Sequence, residues 1–125
     1  MTTTSKRPRA QSAPPARRHD HEHGGPTLHM IGNAHIDPVW LWRWQEGVHE
    51  VLASFRSALD RLSEDPDFLF VSSSAAFYQW VEQIQPAMFE EIRARVAEGR
   101  WEIVGGWRIQ PDCNLPGGES FVRQG

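Results

Sequence analysis

Residues 28–44 read LHMIGNAHIDPVWLWRW. The stretch opens on a short apolar run, Leu28 to Ile31, then turns polar and aromatic between the Gly32-Asn33 turn signal and Pro38. An apolar run of this length bounded by turn residues reads as a strand buried on both faces. His35 and Asp37 follow at its end. In an extended segment, side chains at i and i+2 point to the same side, so the imidazole and the carboxylate converge on one point. Nitrogen and oxygen ligands placed this way suit a divalent transition metal such as zinc. On its own the pair reads first as a histidine hydrogen-bonded to a carboxylate. Its context raises the metal reading, because Pro38 and Trp40, Trp42 and Trp44 follow at once. Parallel-strand proteins place their chemistry at the C-terminal ends of strands. A catalytic zinc usually has three protein ligands and one open position, so a further ligand is expected from elsewhere in the chain.

Working outward, Gln45 to Asp65 predicts a helix. Val48, Val51, Leu52, Phe55, Ala58, Leu59 and Leu62 recur at spacings of three and four and make one apolar stripe. Glu46 suits the positive end of the helix dipole, and Pro66 stops the helix. Phe68 to Val71 reads as a second buried strand, and Ser72, Ser73 and Ser74 are capping residues for a helix near Ala75 with Phe77, Trp80, Val81 and Ile84 inward. Pro86 suits the first turn of another helix, with Phe89, Ile92 and Val96 on its core side and Gly99 as its C-terminal cap. WEIVGGW contains a third strand, Glu102 to Val104. It leads into a polar loop through Asp112, Cys113 and Glu119 and into the start of another helix at Ser120. Strands separated by helices indicate a parallel α/β sheet or barrel, with the ends of its first and third strands on one rim.

With 125 residues, 39% of them hydrophobic, and a net charge of −3, the chain has the size and balance of one soluble globular domain. Nothing in that balance suggests a nucleic-acid partner. No apolar stretch approaches the roughly 20 residues that span a bilayer, which argues against a membrane segment. The N-terminus lacks the apolar core of a secretory signal. A single cysteine, Cys113, excludes an internal disulfide and fits a reducing compartment, so a cytoplasmic location is expected. Residues 1–27 are rich in Thr, Ser, Pro and Arg, with almost no large apolar residue, and read as a solvated basic tail. Within it, His19, His21 and His23 alternate with acids, which is compatible with adventitious metal binding.

The segments GNAHIDPVWLWRWQEG, FLFVSSSAAFYQWVEQIQP, GRWEIVGGW and PDCNLPGGESFVRQ together resemble the start of the catalytic domain of glycoside hydrolase family 38 α-mannosidases. The NLPGGESFVRQ element looks closest to the bacterial and cytosolic branch, and the resemblance runs over residues 28–124. It implies the first three strand-helix units of a seven-stranded parallel α/β barrel, so residues 28–125 are expected to be an N-terminal part of that domain. It also implies one divalent ion, zinc or in some members cobalt, held partly by His35 and Asp37, and a mannose subsite lined by Trp40. The implied substrate is a mannose-containing glycan, cleaved at terminal α-mannosidic linkages by a metal-assisted retaining mechanism, and a homo-oligomeric parent stays open. The family's nucleophile, acid/base and remaining ligands match no position here, so this chain alone is expected to be inactive. Asp112 does not match the nucleophile and is expected to order its loop or to support the site from behind. Two other readings remain: a metal-dependent carbohydrate deacetylase, and a non-catalytic sugar-binding remnant.

Overall fold

A computed structural model describes residues 25–125. The expected tail falls outside these residues up to position 24, together with its histidine cluster. The elements run β1 (Gly32–Asn33), α1 (Trp44–Glu64), β2 (Phe70–Ser72), α2 (Ala75–Ile84), α3 (Pro86–Ala97), β3 (Trp101–Ile103) and α4 (Gly118–Val122). The strands form one sheet in the order β1-β2-β3, both pairs parallel. The α/β alternation and parallel pairing expected from the sequence are therefore present, as a three-stranded sheet among the described residues. No helix among them is long and apolar enough to cross a membrane.

The core is built by α1. Val51, Phe55, Ala58, Leu59 and Leu62 are buried along one face and meet Phe70 of β2, Phe77, Tyr78 and Val81 of α2, Met88 and Ile92 of α3, and Trp101 of β3. Phe55 stands at the centre, with ring centroids 5.0 Å from Trp101 and 5.4 Å from Tyr78. Each of these large apolar side chains contributes about 1.5–3 kcal/mol on burial, so this cluster dominates the stability of the unit. Trp101 is deeply buried, and its indole N–H donates to the Tyr78 hydroxyl at 3.0 Å. That hydroxyl in turn donates to the Ser72 carbonyl at 3.1 Å. Burial raises the Tyr78 pKa above the ordinary tyrosine value, and these two hydrogen bonds oppose the shift.

Three expectations are corrected. Leu28 to Ile31 is not a doubly buried strand: Leu28 and Met30 are over four-fifths exposed, and strand pairing begins only at Gly32. Gly32 pairs with Phe70, the first residue of β2, so the apolar run lies beyond the end of the strand it pairs with among the described residues. The serines after β2 do not cap α2 through their side chains. Ser74 occupies the cap position at φ 71°, and the free N–H groups of Ala75 and Ala76 instead donate to the carbonyls of Trp107 and Arg108, at 3.1 and 3.0 Å. Ile84 and Val96, expected on core faces, are exposed, and Met88 takes the buried place on α3. Pro86 does open α3, and Gly99 adopts φ +73° just past its end.

Candidate functional site

Parallel pairing puts the C-terminal ends of all three strands at one edge of the sheet. The loop after β3 crosses the end of β2, because Trp107 and Arg108 supply the carbonyls that cap the start of α2. Gln124 holds that loop from the far side: its carbonyl accepts from Arg108 N–H at 2.6 Å and its side-chain oxygen accepts from Ile109 N–H at 2.8 Å. Within the loop, Asp112 Oδ1 accepts from the N–H groups of Asn114 and Leu115, at 2.6 and 3.2 Å, and so orders the turn that carries the exposed Cys113. Glu119 pairs with Arg123 within α4.

The segment after β1 keeps the alternation of a strand although its ladder has ended. Ala34 and Ile36 pack inward against the core cluster, and His35 and Asp37 point outward. His35 Nε2 lies 3.4 Å from Asp37 Oδ1, with side chains 71% and 45% exposed, so both are open to a ligand from solvent. The convergence expected from i, i+2 spacing is therefore present. The separation is longer than the N–H···O optimum of about 2.9–3.0 Å. It equals the edge of a tetrahedron whose ligands stand about 2.1 Å from a central zinc, which is about 3.4 Å. The nitrogen and oxygen donors thus fit a divalent ion in chemistry and in spacing. Among the described residues, no group of three or more His, Cys, Asp or Glu side chains gathers there or elsewhere to hold a metal.

Trp40, three residues after Asp37, is 62% exposed and meets Trp42 edge to face, with ring centroids 5.3 Å apart at 85°. Two features of the segment were not legible in the sequence. The Trp42 indole N–H donates to the Asp37 carbonyl at 3.1 Å, closing the turn between them. Gly47, in the first turn of α1, is buried against Pro38, and a methyl group there would lie 2.8 Å from the Pro38 carbonyl carbon and closer still to its oxygen. An excess of tryptophan and a glycine within a helix hint at such contacts, but only the path of the chain assigns partners to them.

The family description "Glycosyl hydrolases family 38 N-terminal domain" matches residues 25–125. The chain belongs to this family. It is similar to alpha-mannosidase 2C1 of Homo sapiens, with 37% identity over 106 residues that cover 82% of this chain and 10% of that protein. Alpha-mannosidase G of Dictyostelium discoideum is 36% identical over 94 residues, covering 75% of this chain and 9% of its own. An alpha-mannosidase of Saccharomyces cerevisiae is 33% identical over 99 residues, covering 78% and 9%. This family 38 chain thus spans about a tenth of the length of the curated relatives it matches.

Proposed function

We propose that this chain contributes the first part of the catalytic domain of an α-mannosidase, in which His35 and Asp37 are two ligands of a divalent ion, zinc or cobalt. The observation that carries the reading is the His35–Asp37 pair, exposed and converged at the C-terminal end of a parallel strand inside a family 38 match. His35 and Asp37 would hold such an ion, which would supply Lewis-acid stabilisation for a sugar bound beside them. The chain's own residues orient the substrate. Trp40, three residues after Asp37, offers an apolar face, and Trp42 props it edge-on. A wall of this kind stabilises ground and transition states alike, so its loss raises KM more than it lowers kcat. The substrate class is a glycan ending in α-linked mannose, in line with the names of the relatives.

Retention needs two carboxyl groups roughly 5 Å apart, and zinc catalysis usually needs three protein ligands. Among the described residues no group of three His, Cys, Asp or Glu side chains gathers to hold a metal, and the relatives are about ten times as long, which supports a larger seven-stranded barrel around this three-stranded start and no turnover by the 125-residue chain alone. NLPGGESFVRQ supports the bacterial and cytosolic branch, and the lone Cys113 supports a cytoplasmic location.

The test uses the full-length protein on an aryl α-mannoside. Turnover and bound metal are expected in the parent protein, and both are expected to fall together in His35→Ala. A metal-free parent, or a His35→Ala variant with undiminished turnover, sinks the reading.

A further inference from the structure

The register with β2 ends at Asn33, two residues before His35 and four before Asp37. Inward packing of Ala34 and Ile36 fixes which side the pair faces but not where the turn after it lies. Two contacts fix the turn, and both come from the start of α1 and the segment just before it. The Trp42 indole ties the Asp37 main chain at its carbonyl. Gly47 lets the helix backbone close onto Pro38 more tightly than any side chain allows. The helix is a rigid base for this, since the next residue, Val48, and then Val51 and Phe55 are sunk in the core.

We infer that Trp42 and Gly47 are positioning residues that hold the Asp37 carboxylate at metal-binding distance from His35, coupling the first turn of α1 to the ion. The inference rests on the proposed metal role of the pair. Neither residue touches the ion or the sugar; they act on the backbone that presents a ligand. Outer partners that orient a metal ligand change metal affinity or activity by about 10- to 100-fold when removed.

The experiment compares full-length wild type, Trp42→Phe, Gly47→Ala and His35→Ala. Zinc affinity is read by competition with a chromophoric chelator, ligand geometry by the visible spectrum of the cobalt-loaded protein, and folding by far-UV circular dichroism of the metal-free protein. Trp42→Phe removes the indole N–H and keeps an aromatic ring. It is expected to fold as wild type, to bind zinc about 10- to 100-fold more weakly and to alter the cobalt spectrum. Gly47→Ala is expected to do the same or worse, and if it does not fold, Trp42→Phe decides alone. A merely structural role for these residues would change stability and leave the cobalt spectrum as it is. Wild-type zinc affinity and an unchanged cobalt spectrum in Trp42→Phe, while His35→Ala loses the metal, overturns this inference and leaves the proposed function standing. Failure of the wild type itself to bind zinc or cobalt overturns both.

Discussion

Replacing Tyr78 by Phe deletes one oxygen from a buried polar chain and leaves the ring packing against Phe55 in place. That oxygen accepts from the Trp101 indole and donates to the Ser72 carbonyl. Ser72 keeps a second partner, because its carbonyl also accepts from Val104 N–H at 3.2 Å. Its lost bond therefore costs only the net value of a hydrogen bond, about 1 kcal/mol. Trp101 is 1% exposed, and among the described residues its N–H donates to nothing else. Stranding a buried donor costs about 1–3 kcal/mol, so the substitution is expected to destabilise the fold by about 2–4 kcal/mol in total. Against the roughly 5–15 kcal/mol of a typical domain this is a large share. Urea unfolding followed by far-UV circular dichroism measures it directly. A double-mutant cycle then isolates the cause: in a Trp101→Phe background the donor is already gone, and Tyr78→Phe should cost about 1–3 kcal/mol less. A loss below about 0.5 kcal/mol, or an equal loss in both backgrounds, refutes the account.

Tyr78 is the only tyrosine, so tyrosinate absorbance reports it alone. Burial raises its folded pKa, so its contribution to stability is complete below the unfolded value of about 10 and is lost as pH climbs beyond it. Ionisation in the folded protein is expected only above the ordinary tyrosine value, and titration at that value in a protein with intact circular dichroism contradicts this. Gly32→Ala would place a methyl 2.6 Å from the Phe68 ring and 3.1 Å from the Leu69 carbonyl, costing about 1–3 kcal/mol and exposing β1 amides to hydrogen exchange. Unchanged protection of β1 would show that the contact relaxes freely. At Ser74, which holds φ 71° without a side-chain cap bond, Gly is expected to be more stable than Ala by about 1 kcal/mol, measured by thermal melting. Equal stabilities would remove backbone strain from that position.

The helices were legible because their causes are local. The stripe from Val48 to Leu62 repeats at helical spacing, Pro86 opens α3, and Gly99 follows its end in the left-handed region. The face shared by His35 and Asp37 was legible for the same reason, since alternation in an extended chain is a property of neighbouring residues. The four motifs that the sequence holds in order also carried the family, which the match over residues 25–125 shows.

Tertiary structure decided what depends on partners distant in the chain. Leu28 to Ile31 has the composition of a buried strand, yet burial needs a neighbour, and β2 begins too late to give one. Three serines resemble a helix cap, but the carbonyls of Trp107 and Arg108, brought over by the parallel crossing, take the amide protons first. The indole on Asp37 and the helix pressed onto Pro38 likewise exist only because α1 folds back over the strand end. Residue type and spacing set which groups face outward. How closely two ligands stand depends on the backbone beneath them, and packing fixes that backbone.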